Sequence, residues 1–303
     1  MRLFPRSPRV LAAIASVLAV AAFVFWRLTG PDPFPASAIP AHQADLRNGE
    51  TLYLAGSCHA CHRPPEGARD ASLPSGGTPF KTPIGVFYPQ NITPDAETGI
   101  GRWTAADFIG AMTRGISPDG RHYFPAFPYM AYRSMKMADL LDLRAYLMSL
   151  QPVKAVHPAH SVFQLGFARR AVGLWKRLAL ARPAYSAARG GSESWMRGAY
   201  LVNAPGHCGE CHTPKSWLMI EDLGRYMAGG PHPAGDGKVP SLVGLVARGK
   251  YENAASLTLA LQNGEEMGYE DLSSGGMGLI QTNLAKLPES DVRAISEYLV
   301  SLE

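Results

Sequence analysis

The sequence predicts an all-α protein made of two similar helical domains in tandem, with an apolar helix at its N-terminus. Three observations carry that expectation. The pentapeptide Cys58-His59-Ala60-Cys61-His62 returns 150 residues later as Cys208-Gly209-Glu210-Cys211-His212. Ala145-Tyr146-Leu147-Met148-Ser149-Leu150 returns as Glu297-Tyr298-Leu299-Val300-Ser301-Leu302, at the similar offset of 152. An uncharged, mostly apolar run from Val10 to Trp26 follows Arg2, Arg6 and Arg9 and is closed by Arg27. Two repeats at nearly one spacing point to an internal duplication, and 303 residues suit two domains of ordinary size.

Taken in order, residues 1–28 read as a membrane anchor. The apolar run spans about 25 Å as a helix, near the lower limit for crossing a bilayer, and its positive flank places the N-terminus in the cytoplasm. A cleaved signal peptide is the rival, with Ala36-Ser37-Ala38 as small residues for the cut. Residues 29–40 hold Pro31, Pro33, Pro35 and Pro40, an extended spacer.

The first domain covers residues 41–151. Ala44 to Leu54 reads as a helix leading into the first pentapeptide, and Arg63 to Pro83, rich in Gly and Pro, as loop. Trp103 to Met112 has helical spacing with Thr104 as N-cap. Leu140, Leu143, Leu147 and Leu150 form the buried stripe of a closing helix over Asp139–Leu150. The second domain, residues 194–303, repeats this plan with helices at Arg197–Val202, Ala254–Gln262 and Glu289–Leu302.

Between them, residues 152–193 form a basic linker. From Leu143 to Ser192 there is no Asp or Glu, against eight Lys and Arg. Phe163 to Ala181 reads as an amphipathic helix ended by Pro183, with Phe167, Ala171, Leu174, Trp175 and Leu178 on one side and Arg169, Arg170, Lys176 and Arg177 on another. It is expected either to pack on the domains with its charges in water or to touch anionic lipid or an acidic partner. Outside residues 1–27 the chain carries 25 basic and 25 acidic residues, so no basic stripe for nucleic acid is expected.

The chemistry lies in the pentapeptides. Two thiols about one helical turn apart can each add to a vinyl group of one porphyrin, with the adjoining imidazole held under the iron. A zinc ribbon would need both cysteine pairs in one small unit, and a thioredoxin-like pair explains neither repeated His. The expectation is two covalently bound haem c groups, through Cys58 and Cys61 and through Cys208 and Cys211, with His62 and His212 as iron ligands. Because such attachment occurs outside the cytoplasmic membrane, the body is expected in the periplasm.

The opposite iron ligand separates electron transfer from ligand activation. In the second domain Met277, in Gly275-Gly276-Met277-Gly278, is favoured over Met267. In the first, Met135 and Met130 rank nearly equal, followed by Met137 and His122. Met135 aligns with Leu287, which offers core packing as its other role.

Several segments resemble the cytochrome c subunits of membrane-bound, periplasm-facing dehydrogenases for alcohol, gluconate and aldehydes. They are Asn91-Ile92-Thr93-Pro94-Asp95 with Thr98-Gly99-Ile100-Gly101 and Trp103, Tyr123-Phe124-Pro125-Ala126-Phe127-Pro128-Tyr129, Gly206 to Pro214, and the Met277 segment. Relatives often carry Met where this chain has Phe127, and the alcohol and gluconate subunits usually have three haem peptides where this chain has two. The resemblance implies two class I cytochrome c-like domains. It implies electrons entering from a periplasmic dehydrogenase and leaving to a quinone, a soluble cytochrome or a terminal oxidase, with the protein on the periplasmic side of the inner membrane. Trp103 and Asn91 are candidates to flank the first haem. The alternative from another class is a dihaem peroxidase with an open first haem, motivated by Phe127.

Overall fold

The apolar run near the N-terminus, long enough to bond its own backbone, forms α1 (Pro8–Leu28), with proline in the first turn, where a missing N–H costs nothing. Its side chains are exposed along nearly its whole length. Among the described residues it is the one helix long and apolar enough to cross a membrane, with a mean hydropathy of 2.2. The computed structural model describes residues 7–68, 70–82, 85–161, 166–182, 184–185, 191–232, 237–263 and 277–303. Met267, Gly275, Gly276, Phe163, Pro183 and Arg189 lie outside them.

The first half of the body holds α2 (Leu46–Ala55), α3 (Cys58–His62), α4 (Ala105–Arg114), α5 (Tyr129–Tyr132) and α6 (Met137–Ser149). The capping expected at Thr104 is complete: its hydroxyl accepts from Asp107 N at 3.1 Å and its N–H donates to the Asp107 carboxylate at 2.9 Å. After α7 (Gly166–Ala179), the second half holds α8 (Glu193–Asn203), α9 (Gly209–His212), α10 (Ala254–Asn263), α11 (Met277–Leu284) and α12 (Glu289–Val300).

The expectation of loop throughout Arg63–Pro83 needs correction. A short antiparallel hairpin, β1 (Phe80–Thr82) and β2 (Gly85–Phe87), begins there, pairing Phe80 with Phe87. A second, β3 (Gly230–Pro231) with β4 (Lys238–Val239), pairs Gly230 with Val239 in the other half. Strands this short leave no period-2 pattern to read.

The same helix crossing recurs in both halves. Gly49 on α2 lies so close to α6 that a Cβ would meet the Asp142 carbonyl at 2.3 Å; Gly198 on α8 lies so close to α12 that a Cβ would meet Ala294 O at 1.8 Å. Beside each crossing an acid ties the pair. Asn48 donates to Asp139 at 2.9 Å and to Asp142 at 2.8 Å. Arg197 makes a two-bond fork to Asp291 at 2.9 and 2.8 Å.

Leu140, Leu143 and Leu147 of the stripe read from the sequence are buried with Leu52, Phe108 and Ile109, and Leu150, just past α6, is half-buried. A second cluster gathers Leu201, Leu257, Leu261, Val292 and Ile295. The clusters lend each other residues: Tyr200 and Ala204 pack in the first, and Ala55 in the second. The Tyr200 hydroxyl donates to Asp139 and accepts from Lys136 N, so the two halves share a polar seam as well as apolar surface.

α7 departs at one residue from the expectation of basic residues in water, while Arg177 is exposed as expected. Lys176 is 5% exposed, while Leu174 and Leu178 are 44% and 57% exposed.

Candidate haem-attachment sites

Each pentapeptide begins at a strained residue. Ser57 (φ 45°) and His207 (φ 41°) both adopt the left-handed conformation immediately before the first cysteine. Behind them Gly56 and Gly206 make room: a Cβ on Gly206 would meet the Leu201 carbonyl at 2.5 Å, and on either glycine it would lie 3.5 Å from the following cysteine sulfur. The chain therefore turns sharply out of α2 or α8 and starts a short helix that puts both thiols and the histidine on consecutive turns.

The histidines are oriented alike. His62 Nδ1 donates to the Gln90 carbonyl at 2.7 Å and His212 Nδ1 donates to the Pro240 carbonyl at 2.9 Å, each acceptor 28 residues downstream. A carbonyl only accepts, so the proton sits on Nδ1 and Nε2 presents its lone pair. Burial holds both imidazoles below the usual histidine pKa, so they are neutral at pH 7. A second bond locks each loop: Gly76 N to His62 O and Gly229 N to His212 O, both 2.7 Å. Gln90 and Pro240 follow closely on the two hairpins, which bring the chain back to the histidine. Sequence reasoning missed these acceptors, although their equal spacing from the histidines was legible.

The thiols are held as neutral groups. Burial pushes Cys58 and Cys208 up to about 12 and Cys211 up to about 11. All four are free of disulfides, and no cluster of three or more His, Cys, Asp or Glu able to hold a metal ion occurs among the described residues. Cysteine pair and neutral histidine fit a covalently attached haem.

Asn91, singled out as a haem neighbour, is 2% exposed and braces the loop. Its amide donates to Val153 O at 2.6 Å and to Thr98 at 3.1 Å, and its oxygen accepts from Thr93 N at 2.9 Å. It thus fixes the residue next to Gln90. Trp103 is half-buried against the first cluster, its carbonyl accepting from Arg144 at 2.8 Å.

The candidates for the opposite ligand fall in different places. Met277 opens α11 and is half-buried. Met135 is buried in the first cluster, as its counterpart Leu287 is in the second. Met137 starts α6 and packs on the first cluster from outside. Met130 lines a cavity of about 430 Å³ between the halves, together with His207, Glu210, Lys215, Tyr226 and Trp175. His122 directs Nε2 at the Thr29 carbonyl, 2.9 Å away, beside the end of α1. Phe127 sits among rings, with Tyr123 at 5.7 Å, Tyr132 at 5.6 Å and Tyr129 at 6.4 Å between centroids.

The turns that lead into the two pentapeptides touch. His207 Nε2 donates to the Gly56 carbonyl at 3.3 Å, and Tyr132 lies between them, its ring meeting that of His207 edge-on. Near the second pentapeptide, Glu210 pairs with Lys215, both largely buried. Burial, reinforced by Glu210, raises Glu221 to about 7.

The cytochrome c family profile matches residues 46–151, and the chain is 36% identical to a diheme cytochrome c-type protein of Cereibacter sphaeroides, over 95% of this chain and 96% of that one. The chain belongs to the cytochrome c family. It is also 38% identical to a subunit of the nicotinate dehydrogenase of Pseudomonas putida, over 97% of this chain and 24% of that one. It is 33% identical to the fructose dehydrogenase cytochrome subunit of Gluconobacter japonicus, over 89% of this chain and 54% of that one. As a member of this family, the chain is a haem c-binding electron-transfer protein.

Proposed function

We propose that the chain is a membrane-anchored dihaem cytochrome with two tandem cytochrome c domains, residues 41–151 and 194–303. It carries electrons from a periplasmic dehydrogenase to a quinone, a soluble cytochrome or a terminal oxidase of the respiratory chain. The observation that carries this reading is the duplicated Nδ1-to-carbonyl bond, His62 to Gln90 and His212 to Pro240, below a duplicated cysteine pair. Relatives that are cytochrome subunits of dehydrogenases support the donor class, and α1 supports an inner-membrane site on the periplasmic side.

When bound, each haem supplies a one-electron iron couple. Cys58, Cys61, Cys208 and Cys211 fix the porphyrins through sulfur. His62 and His212 would each offer Nε2 to the iron, their rings oriented by the bonds from Nδ1 to the Gln90 and Pro240 carbonyls. Met277, at the start of α11, would supply a thioether ligand to the haem of the second domain. Met135 and Met130 compete for that role in the first, ahead of Met137 and His122. The contacts of His207 with Gly56 and with Tyr132 keep the two sites adjacent.

The holoprotein from a host that matures c-type cytochromes should keep two porphyrins per chain after acid–acetone extraction, and should titrate as two low-spin one-electron centres. One haem or none refutes the reading. Phe127 in its ring of tyrosines favours one second reading, a dihaem peroxidase whose first iron lacks a sulfur ligand. A stable high-spin signal with peroxide turnover would establish that instead.

A further inference from the structure

α7 presents to water the residues that ought to be inside. Its inner face sets one buried cation between the small residues Gly173 and Ala179: Lys176 donates to Arg114 O at 2.8 Å and to Gly115 O, and lies 4.7 Å from the centroid of Tyr129. Gly173 is pressed against the protein, where a Cβ would meet His122 Nε2 and Thr29 O at 2.8 Å. The outer stripe holds Arg170, Leu174, Arg177 and Leu178, within about 100° of arc at 3.6 residues per turn.

That stripe is tied to the end of α1. Arg170 stacks on Trp26, 3.5 Å from its centroid, and donates to Trp26 O at 2.8 Å; Arg177 donates to Leu28 O. These are carbonyls that a helix C-terminus leaves unsatisfied, and cations there oppose its negative end. A loop extends the apolar surface. Trp175 donates to Leu218 O at 2.7 Å, fixing beside α7 a segment in which Trp217 is 89% and Met219 44% exposed.

We propose that Leu174, Leu178, Trp217 and Met219, flanked by Arg170 and Arg177, lie in the headgroup layer of the phospholipid membrane that α1 enters. They would form a second membrane contact that fixes the tilt of the haem-bearing body. The proposal rests on reading α1 as a membrane helix. The occupant follows from position and charge. The stripe grips the last turn of a helix whose residues are otherwise exposed, so a bilayer around α1 begins where the stripe stands. Guanidinium groups suit lipid phosphates, an exposed indole suits the interface, and the acid-free run Leu143–Ser192 offers no repulsion to anionic lipid.

The test uses the full-length holoprotein in nanodiscs of phosphatidylethanolamine and phosphatidylglycerol doped with a phospholipid that carries a diazirine on its acyl chain. After photolysis, mass spectrometry should find adducts on α1, on the peptide with Leu174 and Leu178, and on that with Trp217 and Met219. None is expected at Leu259 on α10, which is 59% exposed. The triple variant Leu174→Gln, Leu178→Gln, Trp217→Ser should lose the body adducts several-fold while keeping those on α1 and an unchanged haem spectrum. Adducts on α1 alone overturn the proposal, as does shielding of Trp217 only when a dehydrogenase is added. Absence of adducts on α1 as well overturns the anchor itself, and the proposal with it.

Discussion

The rings of Tyr132 and His207 meet edge-on, 5.5 Å between centroids and 82° between planes. One belongs to the last turn of α5, ahead of α6, and the other to the turn before Cys208, so this contact joins the two halves beside both pentapeptides. Tyr132 is 6% exposed. Tyr132→Ala removes a large buried ring, a change that costs about 3–5 kcal/mol, and should lower the thermal midpoint of the holoprotein and shift both reduction potentials. A shift of only one potential would show that the ring serves one half alone.

Tyr200 is the polar counterpart of that contact. Its hydroxyl donates to Asp139, which also accepts from Asn48. Tyr200→Phe leaves the ring and strands part of the carboxylate, for a loss of about 1.5–3 kcal/mol. Urea unfolding with an unchanged slope and a lower midpoint is the expected result.

Gly49→Ala and Gly198→Ala should both be destructive, because the added carbon meets backbone carbonyls that cannot rotate away. A cost of at least ~1–3 kcal/mol is expected, larger for Gly198, where the approach is closer. The yield of haem-stained full-length chain measures it.

Asn91→Ala should loosen the loop that carries the Gln90 carbonyl. Losing the bonds to Val153 and Thr98 leaves buried acceptors short of a donor, about 1–3 kcal/mol. The reduction potential of one haem should move while the other stays, as read by a redox titration resolved into two steps.

His122 makes stability pH-dependent. Burial, with Lys176, Arg170 and Arg169 nearby, lowers its pKa in the folded chain, although its bond to Thr29 O opposes this. The folded state therefore binds fewer protons than the unfolded one as pH falls through about 6.5. Its contribution is fully present above that pH and is lost below, by at most ~1.4 kcal/mol per unit crossed. His122→Gln, which can still donate to Thr29, should flatten the fall in thermal midpoint between about pH 7.5 and 5.

Much of this was legible in the chain. Thr104 and Asp107 spell their cap, and Leu140, Leu143 and Leu147 mark the buried stripe of α6, because both signals are local. The pentapeptides announce their chemistry because covalent attachment tolerates little variation in spacing. What stayed hidden depends on neighbours distant in sequence. Gly49 and Gly198 look like any of the 31 glycines until α6 and α12 lie against them. Lys176 looks solvated until Arg114 O and Gly115 O turn toward it. Gln90 and Pro240 act through their carbonyls, and a carbonyl carries no residue-type signature.

The single bond from the His207 ring to the Gly56 carbonyl has an evolutionary reach beyond its strength. The turn ahead of one pentapeptide is propped by the backbone of the turn ahead of the other. If each peptide carries a haem as proposed, a substitution that reshapes either turn is felt at both. Selection on such a proposed pair would act on both together, and the gap between their potentials is expected to vary less among natural variants than either potential does.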